Sequence, residues 1–576
     1  MNKRYQKLPF LLELLFNGAF IFLYAFYRAN RIETPLVSGE LVATILQSLA
    51  YLAPLFILLS TLSFFMRSSS GDEFFRKYVF SLIVFVPMLI TYGDVQFAFW
   101  LAAVHLFSSV LSLYELKPET KEESRDYVLG ALEKIRLAPA QIVILSFGSI
   151  IFIGTLLLSL PISAAEGKEI AFIDAFFIAT SATCVTGLST LSLADNFSFV
   201  GQIITLVLFQ IGGLGYMTLH SSMMILLGKS LAVKNQVMMQ DLLDINSMSD
   251  LVAMIVNIIK YTLVIEFVGA IILAVAFSFE GYEFGQAIYY GFFHAISAFC
   301  HAGFSLFNNS LEDFALNPII SNTITALIFL GGLGFIVIKE VELVARGKKK
   351  LINLSVHSKV VFVTSFSLLA LVAIYIFFSE YLHSLGDLNL WQQIQVSLFQ
   401  SMTTRSSGFN TIPLSSLFPH TLYLFILAMF IGGNPGSCAG GIKTTTFAIL
   451  FQSIRATLKG KDRVTFFDRT VPNYLVVRSI AIIVISLVIC SFFILLMMRI
   501  ETEHSFLSIF FETISAFATV GLSLGITPYL TVAGKAVIII LMFIGRIGPL
   551  TMALAIGQPK EAAKGVEYPS GRIMIG

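Results

Sequence analysis

Four segments of the sequence share one small-residue pattern that ends in a glycine: "TSATCVTGLST", "AISAFCHAGFS", "SMTTRSSGFNT" and "TISAFATVGLS". Their side chains offer no acid, base or nucleophile in a catalytic pattern, so the chemistry available is that of the main chain. Backbone carbonyls in an extended stretch after a short helix can replace the water shell of a K+ ion. Glycine adopts the dihedrals that let consecutive carbonyls point the same way. The candidate ligand triplets are Val185, Thr186, Gly187; His301, Ala302, Gly303; Ser406, Ser407, Gly408; and Thr519, Val520, Gly521. A glycine that merely closes a helix hairpin would explain any one of them. Four with related flanks, spaced by roughly 110 residues, read as an internal repeat. His301 can switch charge near neutral pH, or it can pack neutral behind the turn with only its carbonyl facing an ion.

A second set of residues lies downstream of each glycine: "IGGLGY" from Ile211, "LGGLGF" from Leu330, "IGGNPG" from Ile431 and "IGRIGP" from Ile544. In register, Gly213, Gly332, Gly433 and Arg546 form one layer in which three positions lack a side chain and the fourth carries a guanidinium. A charge at membrane depth costs about 2.5 to 3.5 kcal/mol on insertion scales and needs partners. Arg546 either pairs with Glu512 or Glu266, or bonds to carbonyls of a broken helix and opposes cation passage. The stretch "GGNPGSCAGGIKTTT" supplies such a break. It misses the phosphate-loop spacing by one residue and lies inside an apolar run with no nucleotide domain around it. Pro435 removes a donor and glycines weaken a helix by about 1 kcal/mol each. Gly433, Pro435, Gly436, Gly440 and Gly441 therefore mark an unwound loop, with Lys443 either near the ion path or snorkelling to the surface.

The elements that must position these residues are membrane helices. Hydrophobic residues make up 56% of the 576 and charged ones 12%, which excludes a soluble protein of this length. A crossing of about 30 Å takes roughly 20 apolar residues, and such runs recur along the chain. The expected architecture is an all-α polytopic membrane protein with four pseudo-symmetric membrane-pore-membrane repeats around one ion pore. Apolar segments 8–27, 41–65, 78–92 and 96–114 add an N-terminal bundle of four transmembrane helices over 1–114. A charged cytoplasmic linker, 115–138, precedes repeats at 139–220, 255–340, 357–451 (with the intramembrane loop at 432–446) and 474–556, and a tail at 557–576 follows. Each glycine segment follows a helix too short to span, such as "HSFLSIFFETISAF". Unpaired backbone at that depth is tolerated only along an aqueous path. Asp174 is placed to cap the first short helix. The basic joints "KEVELVARGKKKLINLSVHSK" and "RATLKGKDRVTFFDR" face the cytoplasm, as do both termini. The net charge of +2 predicts no nucleic-acid partner, and the four cysteines read as buried free thiols.

With these motifs in hand, residues 138 to 576 resemble the Trk/Ktr/HKT superfamily of potassium transporters. The endings "IGRIGPLT" and "YPSGRIMIG" are closer to its Ktr branch. The resemblance implies a potassium-uptake subunit of the cytoplasmic (inner) membrane, not an enzyme, in which a filter glycine in all four repeats goes with preference for K+ over Na+. It further implies K+ as substrate held in the filter only, Na+ as a modulator, and no covalently bound cofactor. Nucleotide would act only through a separate regulatory subunit. The implied assembly is a homodimer on a cytosolic ring of nucleotide-binding subunits, surrounded by membrane lipids. In this family "GG-P-GS-AGGIKTTT" corresponds to an intramembrane gating loop. Two departures stand out: His301 occupies a position where the family often has Asn, and the N-terminal bundle is longer than in the usual Ktr form. The alternative architecture is a secondary transporter coupling Na+ or H+ symport through discontinuous helices.

Overall fold

The computed structural model describes residues 139–215 and 251–549, together with 16–18, 20, 46–52 and 102. The predicted N-terminal bundle, apart from those few positions, the linker 115–138 and the tail 557–576 lie outside the described residues. The chain divides into two compact units, 1–136 with 160–162, and 137–159 with 163–576. In the first, residues 16–18, 20, 46–52 and 102 are helical and include the buried side chains Phe20, Leu46, Ala50 and Ala102.

In the second unit the fold is mostly helical, with one two-stranded hairpin, Thr465–Phe466 (β1) against Arg469–Thr470 (β2). Helices come in sets of a first helix, a short helix, an extended turn and a second helix. The first set is α1 (Pro139–Leu158), α2 (Phe172–Thr183) and α3 (Phe199–Leu214). The second is α4 (Leu251–Phe279), α5 (Phe284–Cys300) and α6 (Pro318–Leu333), continued by α7 (Phe335–Ala345). The third is α8 (Val356–Glu380), α9 (Leu390–Thr403), α10 (Pro419–Phe430) and, beyond a loop at 431–443, α11 (Thr444–Leu458). The fourth is α12 (Asn473–Ile500), α13 (Phe506–Phe517) and α14 (Val532–Ile547).

The helix starts are written locally. Asn389 and Gln392 form a reciprocal capping box on α9, Asn317 caps α6 ahead of Pro318, and Ser505 and Thr531 cap α13 and α14. Three described helices are long and apolar enough to cross a membrane: Val256–Phe279 within α4, α8 and α12. The helices α6 and α7 make a further apolar pair bent by 107°. On α12 the apolar Val477, Val484, Leu487, Val488, Phe492 and Leu495 are each at least half exposed, which suits a lipid-facing helix. The second helices of the sets are short: α3 and α14 have 16 residues and α10 has 12. Gly215 and Gly548 end the first two, and the loop with Pro435 follows α10.

The buried core surrounds the short helices and takes side chains from both the first and the second helices of the sets. Each short helix packs on the second helix of the preceding set: α5 on α3, α9 on α6, α13 on α10 and α2 on α14. Within each of three sets, Gly212, Gly331 and Gly545 let the second helix approach the end of its own short helix closely. A methyl group at any of them would collide with the carbonyl of Thr183, Phe299 or Phe517, two residues before the respective turn.

Candidate functional site

The four glycine turns meet. A β-carbon on Gly187 would lie 2.7 Å from the carbonyl oxygen of Ala302, one on Gly303 2.7 Å from that of Ser407, and one on Gly408 2.8 Å from that of Val520. One on Gly521 would strike the carbonyl oxygen of Thr186 and close the ring. The backbone enters each turn through a positive φ at Val185, His301, Ser406 and Thr519, and leaves through Gly187, Gly303, Gly408 and Gly521 at φ of 92°, 70°, 80° and 92°. A side chain there would be strained as well as crowded.

The polarity of these turns follows from where their donors go. The N–H groups of Val185 and Thr186 return to the carbonyls of Ala182 and Ser181, and that of Gly187 to Ser181 Oγ at 3.1 Å. In the fourth set Val520 N–H meets Ser515 O, and Gly521 N–H meets Ser515 Oγ at 3.1 Å. In the second set Ala302 N–H meets Ser297 O, and Ser297 Oγ donates to Phe304 O. With donors turned outward, the carbonyl oxygens of Thr186, Ala302, Ser407 and Val520 accept no hydrogen bond among the described residues. The side-chain oxygens of Thr183, Thr186, Ser407 and Thr519 are likewise buried without a partner there. Such a ring offers oxygen ligands and no opposing charge, the donor set of a dehydrated alkali cation.

Sequence reasoning missed the serines that hold the turns. The signal was available, since Ser181, Ser297 and Ser515 each stand six positions before their glycine. It also missed Arg405, whose buried guanidinium donates to Ser365 O and Ser365 Oγ, each at 3.3 Å. His301 is buried behind its turn, Nδ1 2.6 Å from Ser406 O and Nε2 2.8 Å from Ile328 O.

On one side the four glycines border a cavity of about 260 Å³, also lined by Ser189, Ser305, Asn410 and Ser523. On the other side lies the loop 431–443. Gly432 N–H bonds to Ile442 O at 2.9 Å, pinching its ends, and Thr444 N–H bonds to Gly433 O at 3.1 Å. Asn434 is its hub. It donates from Nδ2 to Gly332 O at 2.6 Å, and its Oδ1 accepts from Ser365 Oγ at 3.2 Å and from Thr444 Oγ1. Pro435 and Gly436 sit against α7, where Phe335 N–H donates to Gly436 O. Gly440 faces the Thr519 side chain and Gly441 the main chain of Ala518. Lys443 Nζ turns back to Ala439 O at 2.7 Å.

Arg546 donates to Cys438 O at 2.5 Å and to Gly212 O, spanning from α14 to the loop and to α3. Neither acidic residue considered for it is its partner. Glu512 accepts from Ser523 and Thr527, while Glu266 accepts from Gln210 and Cys300. Asp174 does not cap α2. The cap position is Ala171, and Asp174 pairs with Lys535 of α14 at 2.7 Å. Cys184, Cys300, Cys438 and Cys490 are free and buried.

A ring of main-chain oxygens without hydrogen-bond donors among the described residues thus lies between apolar helices. Residues 133–565 match the family model described as TrkH, cation transport protein, and the chain belongs to that family. It is 36% identical to the Ktr system potassium uptake protein B of Bacillus subtilis over 77% of this chain and 98% of that one. It is 35% identical to the potassium/sodium uptake protein NtpJ of Enterococcus hirae, again over 77% and 98%. The fold matches that of the potassium transporter TrkH from Vibrio parahaemolyticus with a TM-score of 0.62 at 17% identity, covering 89% of this chain and 97% of that one. The protein is thus an integral membrane protein of the Trk/Ktr superfamily.

Proposed function

We propose that the chain is the membrane subunit of a potassium-uptake system, in which four pseudo-symmetric repeats surround one channel-like pore. The observation that carries this reading is the closed ring of Gly187, Gly303, Gly408 and Gly521, with four carbonyl oxygens left without donors. These oxygens strip and hold K+, and influx is driven by the membrane potential, worth about 2.3 kcal/mol per unit charge per 100 mV. The cavity bordered by the glycines is the outer vestibule. The loop and Arg546 form the barrier on the cytoplasmic side. The guanidinium opposes a cation while its carbonyl partners hold it in the path.

Relatives named as Ktr system proteins support a multi-component assembly. For this chain we infer a homodimer in the cytoplasmic membrane on a cytosolic nucleotide-binding ring, with both termini inside. Nucleotide reaches the barrier only through that ring. The relative named for potassium and sodium leaves Na+ as a modulator or competitor to be measured.

The test is K+ uptake in a bacterial strain without uptake systems of its own, with Na+ as competitor. Wild type is expected to restore uptake, and Gly187→Ser to lower the preference for K+ over Na+ by about tenfold or more, because the new side chain meets Ala302 O. An unchanged preference in a variant present at wild-type levels overturns the filter. Flux in a fixed ratio to Na+ or H+ overturns the channel-like mechanism.

A further inference from the structure

Ser406 joins three of the four turns to the intramembrane loop. Its carbonyl faces His301 Nδ1 at 2.6 Å, its Oγ donates to Thr519 O at 2.7 Å, and the same Oγ accepts from Gly440 N–H at 3.1 Å. Among the four residues that open the turns it is alone in this. Val185 has no hydroxyl, His301 bonds to backbone carbonyls, and Thr519 Oγ1 has no partner among the described residues. The contact is therefore a feature of one repeat rather than a consequence of the shared turn geometry.

We propose that Ser406 is a specificity-determining positioning residue that makes ion preference depend on where the loop stands. The proposal rests on the reading of the turns as a filter and of the loop as a barrier. A serine hydroxyl has one proton to give and lone pairs to receive. With Gly440 N–H on a lone pair, the proton points to Thr519 O and fixes that carbonyl one residue before Val520 O in the ring. Bonds in such a chain reinforce one another. When the loop withdraws, the hydroxyl loses its donor, its hold on Thr519 weakens, and the fourth turn relaxes. By linkage the reverse holds: a filter that has settled around its preferred ion keeps the hydroxyl in place and favours the closed loop.

The test uses the full chain in the uptake-deficient strain, reading the initial rate of K+ uptake and the K+ over Na+ preference together. Ser406→Ala removes both bonds of the hydroxyl. The loss of the bond to the loop is expected to raise the rate about two- to tenfold, the worth of one hydrogen bond, and the slackened Thr519 carbonyl to lower the preference. Ser406→Cys, nearly the same size with a weak donor, gives the same reading if the alanine variant fails to reach the membrane. Ser406→Thr keeps the hydroxyl, and a β-branched residue is tolerated at this positive φ, as Val185 and Thr519 show. It is expected to restore both readouts. Wild-type rate and preference in the alanine and cysteine variants overturn the proposal. So does a loss that threonine leaves unrestored, which would make it a matter of packing. If Gly187→Ser lowers the preference and Ser406→Ala does not, this joint fails and the filter stands. If Gly187→Ser changes nothing, the filter fails and the joint with it.

Discussion

Arg546 shows what a single side chain contributes here and how far the sequence announces it. Three glycines and an arginine in one register are visible in "IGGLGY", "LGGLGF", "IGGNPG" and "IGRIGP". Carbonyls of the broken helix were one of the two readings for its partners, and Cys438 O is such a carbonyl; Gly212 O was not named, because a backbone carbonyl carries no residue signature. The guanidinium is held by Cys438 O and Gly212 O, with no carboxylate pairing with it among the described residues. A fork that reaches two acceptors on different elements is a property of arginine that lysine, a point charge, does not share. If Arg546 belongs to the proposed barrier, Arg546→Ala is expected to raise K+ flux by on the order of tenfold, since it removes a charge and a tether of the loop. Arg546→Lys should fall between. Unchanged flux in a normally assembled alanine variant would remove the arginine from the barrier. Asp174 gives the opposite lesson. Its place near a helix start made a cap the natural reading, yet its partner Lys535 lies 361 residues away, a pairing that only the fold can bring about.

Among the elements, the loop 431–443 was the most readable, because Pro435 breaks a helix and the clustered glycines weaken it further. Its anchorage was not. At Gly334 in "GGLGF" α6 bends by 107° into α7, with φ at 89° and a β-carbon that would lie 2.5 Å from Pro435 O. The loop is thereby strapped to the second set of helices: Asn434 N–H and Nδ2 bond to Gly332 O, Cys438 N–H to Gly331 O, and Phe335 N–H to Gly436 O. Asn434 supplies the side-chain part of this strap and is 1% exposed. Each of its bonds is worth about 1 kcal/mol net. Asn434→Ala should therefore release the loop, raising uptake several-fold and lowering the melting temperature of the purified protein by several degrees. A variant that melts like wild type with unchanged uptake would show that the main-chain contacts alone hold the loop. The signal for Asn434 was present in the sequence as a polar amide inside an apolar run.

The sets close into a ring because each short helix rests on the second helix of the set before it, and the last contact, α2 on α14, joins the first set to the fourth. The number of glycine turns was countable in the sequence. Their order around an axis was not, since it depends on contacts between segments hundreds of residues apart. The closing contact carries the ion pair of Asp174 and Lys535, 2.7 Å long with both side chains 12% exposed. Breaking a buried pair by removing one partner costs about 3 to 5 kcal/mol, and less where water still reaches it. Lys535→Ala is therefore expected to lower the melting temperature by several degrees, through an unpaired Asp174 at the ring closure. Asp174→Asn in the Lys535→Ala background should recover part of the loss, because it removes the stranded charge. The pair stands outside the turns, so the preference for K+ over Na+ in the double variant reports only whether the ring has closed. A double variant that melts no higher than Lys535→Ala alone would mean that the pair orders the contact rather than neutralising a charge, and the ring would then owe its closure to the packing of α2 on α14.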